Sequence, residues 1–381
     1  MNTGPLAGIK VVEIAGIGPA PCAGMMFADM GAEVIVVDRK VGNSKPNAST
    51  AKHMFVNRGK KSIAVNMKSP EGVEAVLKLI EDADVLLEGF RPGVMERLGL
   101  GPEVCHERNP KLVFGRMTGW GQTGPLSQAA GHDSNYIGLS GAFWHGGRKD
   151  AVPTAPLTLV GDLGGGTMML VWGVMCALTH ANKTGEGQVV DAAITDGSAY
   201  ISSLLMMLKN TGMLQDEFGM GWADGAAPWN ETYKCADGGF VNICALEPKF
   251  YKELLQRLGL TENPIFKNQW GMKNWPQGKA ELTEIFAGKT RDEWCELLEG
   301  TDVCFAPVLN FSEAAQHPHN VARGTFMEID GVLQPAPAPK FSRSKPSVGV
   351  PPGVGANTDE LLRAAGLNEE IIAELKARGA V

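Results

Sequence analysis

His132 and Asp162 are the residues whose types and spacing best suit proton chemistry. His132 lies in Gly131-His132-Asp133, and Asp162 opens the run Gly161-Asp162-Leu163-Gly164-Gly165-Gly166 about thirty residues later. Each stands just before a segment that reads as a helix, where backbone N–H groups lack partners and the helix dipole favours negative charge. An imidazole and a carboxyl in such places suit the making and holding of an enolate. The same residues also have a purely structural explanation, since Asp is among the best N-caps and Asp133 reads as the cap of the helix that follows it. Glu247 precedes Pro248 at the mouth of another helix, where a lone carboxylate complements the positive end.

Alternating strands and helices must position these groups. Lys10–Ala15, a turn through Pro21, an apolar helix over Cys22–Met30 and the strand Glu33–Val37 make a βαβ unit. The pattern repeats with strands at Ser62–Val65, Asp84–Leu87 and Leu112–Met117, the Ser69-Pro70 pair opening one helix. This implies an α/β fold: a Rossmann-like, doubly wound parallel sheet covered on both faces. A helix over Gly164–Leu178, a strand over Gln188–Ile194 and a helix over Gly197–Lys209 with Met206 and Met207 follow. From about residue 225 the signals turn antiparallel, with a hairpin around Ala236–Gly239, helices over 279–286 and 291–299, a strand over Val303–Leu309 and a second hairpin from Phe326 to Val332. The expected organisation is a large domain over 1–200 completed by C-terminal helices in 357–381, a small α+β domain over 225–330, and connectors at 201–224 and 331–356, the second rich in proline.

A chain of 381 residues with 44% apolar content can bury a large core in two domains. A net charge of -7 and a pI near 5.6 argue against nucleic acid as a partner, so an anionic ligand needs a local basic cluster. Seven scattered cysteines without C-x-x-C spacing indicate neither a disulfide framework nor a metal site, and they point to a reducing compartment. No signal peptide is evident and no apolar run reaches the roughly 20 residues of a spanning helix, so no membrane association is expected. The last residues, 377–381, are not a peroxisomal tripeptide. A cytoplasmic home is expected.

The turn Gly16-Ile17-Gly18-Pro19-Ala20-Pro21, with Asp38 where a ribose-binding acid would lie, imitates a dinucleotide fingerprint but has proline in place of the third glycine. A tight turn is the better reading. Basic residues gather at strand ends and in the loop between units: Arg39 and Lys40, Arg58-Gly59-Lys60-Lys61, and Arg91 within Glu88–Gly93. Ligands of open α/β sheets bind beyond the carboxyl ends of the strands, and such cations suit several phosphates. A solvated charged rim explains them equally well.

Taken together, several stretches resemble the family III CoA transferases, and within that superfamily the α-methylacyl-CoA racemases. They are the opening Leu6-Ala7-Gly8-Ile9-Lys10-Val11-Val12-Glu13, Arg58–Ser62, Asp84–Gly93, Gly119–Pro125, Gly131–Asp133, Gly161–Gly165 and Thr184–Asp191. The resemblance implies a CoA thioester ligand with its adenine near Arg39, and it carries CoA contacts onto Arg58, Lys61, Arg91 and the Glu88 backbone. It implies an interlocked homodimer whose active site lies between one subunit's large domain and its partner's small domain. The proton-transfer pair then falls on His132 and Asp162, with Glu247 hydrogen-bonding the histidine.

A thioester acidifies its α-proton, so inverting the α-carbon needs one group to remove a proton from one face and another to return one on the opposite face. An unperturbed imidazole titrates near ~6.5 and works in either direction, whereas a carboxyl, ordinarily near ~3.9, must be raised by burial. N–H groups at the helix end by Asp133 could hold the enolate oxygen. The expected function is therefore racemisation of 2-methylacyl-CoA thioesters with no cofactor beyond the CoA of the substrate. The rival is a CoA transferase, in which Asp162 attacks the thioester and no base is needed opposite.

Overall fold

In a computed structural model, the described residues are 4–40, 52–149 and 151–381. Strands β1 (Lys10–Ile14), β2 (Glu33–Arg39), β3 (Lys61–Val65), β4 (Val85–Glu88), β5 (Val113–Thr118) and β6 (Val189–Ala193) form one sheet in the order β3-β2-β1-β4-β5-β6. Every neighbouring pair is parallel. The strands read as continuous apolar runs because both faces are covered. Side chains alternate along each strand. Val12, Ile14, Ile35, Val37, Leu86 and Phe114 share one core with helix α2 (Pro70–Ile80) and the helices at Thr358–Ala364 and Glu369–Ala377, through Val76, Leu361, Leu362 and Ile372. Val11, Val34, Val85, Leu87 and Val113 form the other with α1 (Pro19–Asp29) and the helix Met169–Thr184, through Phe27, Leu170 and Val174. Full burial of such side chains contributes roughly 1.5–3 kcal/mol each.

Local signals set the element starts. The Ser69 Oγ accepts the Gly72 N–H at 3.1 Å and Pro70 occupies the first turn of α2. The chain continues through α3 (Val94–Arg97), α4 (Pro102–Arg108) and α5 (Asp133–Ser140) to a π-helical segment over Leu159–Met168 that runs directly into α6 (Met169–Thr184). Together these form 26 helical residues that are long and apolar enough to cross a membrane by length and composition. The sequence predicts a helix over Gly164–Leu178 and no apolar run of spanning length, whereas the helix runs from Leu159 to Thr184. The helix begins earlier because Leu159 and Val160 extend it, and it ends later, at Thr184. Its inner face packs in the sheet core rather than standing free.

After β6, the helix expected over Gly197–Lys209 is two helices, α7 (Ile194–Ile201) and α8 (Ser203–Asn210), broken at Ser202. Contacts divide the chain at that break. Met1–Ala142, Pro156–Ile201 and Gly324–Val381 form one compact unit; Phe143–Ala155 and Ser202–Arg323 form a second. The second unit holds the antiparallel sheet β7 (Asn230–Lys234), β8 (Phe240–Cys244) and β9 (Phe305–Val308). Helices α9 (Pro248–Leu258), α10 (Trp275–Phe286) and α11 (Arg291–Leu298) pack on it through Trp229, Tyr233, Phe286 and Trp294. The hairpin β10 (Phe326–Ile329) and β11 (Val332–Pro335) falls with the first unit, so its second strand occupies the start of the segment expected to be a connector.

Candidate active site

The strand order reverses between β1 and β4, and in open α/β sheets ligands bind at that switch point, beyond the carboxyl ends of the strands. A cavity of about 530 Å³ opens there, lined by the β1–α1 turn at Gly18 and Pro19, by Phe90 and Arg91 after β4, and by Trp120 after β5. His132, Tyr136 and Asp162 complete its wall. The imidazole and the carboxyl thus reach one cavity from separate elements.

His132 is the N-cap residue of α5, with extended backbone and its N–H donating to Asn135 Oδ1 at 3.0 Å. The next residue, Asp133, is buried, and its Oδ1 accepts the backbone N–H of Asp162 at 2.8 Å. One carboxylate therefore ties the two candidate groups together. Asp162 lies inside the first turn of the π-helical segment rather than ahead of a helix, a correction to the sequence reading. The wider turn follows from the Leu163 N–H bonding five residues back, to the Thr158 carbonyl at 3.0 Å. Single π turns recur at functional sites.

The glycines around Asp162 are there for close approach. A Cβ on Gly161 would overlap the Asp133 carboxylate, and one on Gly165 would overlap Ser198 of α7. On Gly166 it would press on Pro19 and Ile194 at 3.2 Å. Thr167 then braces the segment, its hydroxyl donating to the carbonyls of Pro19 at 3.0 Å and Asp162 at 3.1 Å. Partial burial pushes the Asp162 carboxyl above the usual carboxylate range; the Asp133 charge adds to this and the His132 ring partly offsets it.

The basic residues scatter. Arg39 ends β2, exposed at the carboxyl edge, and Arg91 lines the cavity. Arg58, expected on a phosphate, is instead 2% exposed and held by Asp29 at 2.6 and 3.0 Å, with Nη1 on Gln334 Oε1 and the Pro335 carbonyl, each at 2.8 Å. Lys61 is the first residue of β3, at its amino end, paired with Glu33 at 2.8 Å and Glu360 at 2.7 Å. The run Arg58–Lys61 leads into the sheet from its amino edge. It cannot deliver all its charges to the opposite edge. Glu88 is fully buried, its carboxylate accepting from Arg116 Nε at 2.9 Å and from the Phe90 N–H at 2.7 Å, which fixes the loop that presents Arg91. For Arg58→Met we expect a loss of about 3–5 kcal/mol of stability, read as a lowered thermal unfolding midpoint, because Asp29 is left buried without its partner. An unchanged midpoint with weakened CoA binding would restore the direct role.

Similarity to known proteins agrees with this geometry. The pattern of the CoA-transferase family III matches residues 6–358. The chain belongs to that family. Among family III relatives it is 43% identical over 374 residues to the α-methylacyl-CoA racemase of Mus musculus, covering 97% of this chain and 96% of that one. It is 40% identical over 375 residues to the α-methylacyl-CoA racemase of Homo sapiens, covering 98% and 96%. A crystal structure of a CaiB/BaiF family protein from Brucella suis superposes with a TM-score of 0.81 at 26% identity, covering 96% of this chain and all of that one.

Two features of this family III chain escaped the sequence reading. Tyr136 stands one turn after His132, a spacing that puts both on one helix face and could have flagged it. Lys60 is buried against Glu13 at 2.8 and 3.0 Å and also reaches the Pro21 carbonyl at 2.9 Å, while burial pushes Glu13 up to about 7 against the pull of that lysine. A lysine between Gly59 and Lys61 gives no sign of such burial. Glu247 is the N-cap residue of α9 in the second unit; it is exposed and its side chain caps no backbone N–H.

Proposed function

We propose that this enzyme inverts the α-carbon of 2-methylacyl-CoA thioesters by 1,1-proton transfer through an enolate. The observation that carries the reading is a single cavity walled by His132 and by a carboxyl, Asp162, that burial raises above its ordinary value. One group takes the α-proton from one face while the other delivers a proton to the opposite face. The roles exchange when the other epimer is bound. N–H groups in the first turn of α5, beside Asp133, receive the developing enolate oxygen, a contribution of roughly 2.7–4 kcal/mol per donor. Glu247 of the partner subunit hydrogen-bonds the imidazole. The reaction needs no cofactor beyond the CoA that the substrate brings.

For the CoA itself we assign Arg91 in the cavity and Arg39 at the end of β2. A second depression beyond β3 carries Lys68 and Arg97 alongside Ser69 and Glu74. The homodimer reading is supported by apolar groups left exposed on the first unit: Trp172 at 65%, Tyr200 at 70% and Leu159 at 61%. Exposed large apolar side chains of this kind suit a surface that a partner covers. Exposed Met206, Met207 and Met213 suit a pliable acyl surface.

The rival reading within the family is CoA transfer with Asp162 as nucleophile. Trapping of Asp162 by hydroxylamine during turnover would favour it, whereas incorporation of solvent deuterium at the α-carbon with no acceptor present supports racemisation. The raised carboxyl also gives a pH prediction. In the direction where Asp162 is the base, its protonated form is inactive, so the acid limb of the rate profile should lie above the ordinary carboxylate range. Asp133→Asn removes the neighbouring negative charge yet keeps an oxygen to accept the Asp162 N–H, so that limb should move to lower pH. A limb that stays in place would show that the Asp133 charge does not act on Asp162.

A further inference from the structure

We infer that Tyr136 is the positioning residue that sets His132, a role that rests on the racemase reading for its catalytic meaning but not for its structural test. Tyr136 lies on α5 one turn beyond His132, and its hydroxyl folds back to donate to the carbonyl of Gly131, the residue just before the histidine. The hydrogen bond therefore closes a loop around the Gly131–His132 peptide. It fixes the plane from which the imidazole leaves the chain.

The surroundings are built to keep the ring there. A Cβ on Gly119 would overlap the Tyr136 ring, and one on Gly131 would meet it at 2.6 Å, so both positions admit the ring only as glycine. Trp120 closes the remaining side edge-on, with ring centroids 4.7 Å apart and planes at 84°. A ring wedged between two glycines and an indole has little rotational freedom. Burial raises the phenol above its usual range and so keeps it a proton donor at neutral pH. Asp162 has its own braces at Asp133 and Thr167, which do not involve Tyr136. Loss of the phenol hydroxyl should thus disturb one base and spare the other.

The asymmetry can be measured with Tyr136→Phe, which keeps the ring and removes only the hydroxyl. With each pure epimer of a 2-methylacyl-CoA in deuterated water, α-proton exchange should fall about tenfold for the epimer that His132 deprotonates and stay within about twofold for the other, the loss residing in kcat rather than KM. Independently of any activity, histidine labelled with carbon-13 at Cε1 reports the ring directly. The His132 resonance, identified by its absence in His132→Gln, should shift and broaden in Tyr136→Phe while the other histidines stay in place. An unmoved His132 resonance, or an equal loss of exchange for both epimers, overturns the inference. If the unaltered protein exchanges neither epimer, the racemase reading falls while the resonance still decides whether Tyr136 sets the ring. Should Tyr136→Phe fail to fold, Gly119→Ala, which pushes on the same ring, must give the same resonance shift or the inference fails.

Discussion

His132→Ala is expected to lower racemisation of a 2-methylacyl-CoA by about 10²–10⁴-fold, the range a positioned acid or base supplies. The substitution leaves the fold alone for a visible reason. The His132 N–H bonds the Asn135 side chain at 3.0 Å and its carbonyl accepts the Asn135 N–H at 2.8 Å, and neither of these backbone bonds needs the imidazole. The buried tie between Asp133 and Asp162 also survives. With the imidazole gone, Asp162 can still take a proton from one face, so exchange from one epimer should persist while inversion falls by that factor. A transferase would behave differently, because its nucleophile is intact and it has no use for a base opposite. Retained transfer of CoA to a carboxylate acceptor by His132→Ala, with racemisation never present, would therefore decide for the rival.

Asp162→Asn is expected to have an effect of the same order, about 10²–10⁴-fold on racemisation, with the opposite stereochemical preference in the surviving exchange. The change is nearly isosteric, and the two hydrogen bonds that hold this residue, from its N–H to Asp133 and to its carbonyl from Thr167, are made by its backbone. What is lost is the titrating group alone. Equal residual exchange from both epimers would mean that the carboxyl does not serve a single face.

The parallel sheet was legible because its strands carry apolar β-branched runs at regular intervals, each bounded by glycine, proline or a cap such as Ser69-Pro70. Both faces being covered, no alternation was needed to see them. The position of Asp162 was legible only in part. A glycine-rich run announces close packing, but whether the chain there turns as an α- or a π-helix depends on Asp133, Ser198 and Pro19, which lie far off in sequence. The cations show the same limit. Arg58, Lys60 and Lys61 look alike on paper, yet one is locked to Asp29, one to Glu13 and one to Glu33 and Glu360. Only the fold distributes them. Arg116 was the opposite case: a charge inside an apolar strand signals a buried partner, here Glu88, and the signal was available. The length of the helix from Leu159 to Thr184 was missed because its apolar residues are interrupted by glycines that pack rather than break it.

The central claim is that two proton-transfer groups serve one carbon, and stereochemistry reads it most directly. A single pure epimer of a 2-methylacyl-CoA is incubated in deuterated water with the purified protein alone, without any CoA acceptor, and the optical purity and α-deuterium content are followed together. The account predicts progress to a mixture of both epimers, with the newly formed epimer carrying solvent deuterium at the α-carbon. Full retention of optical purity with no deuterium gained would contradict it.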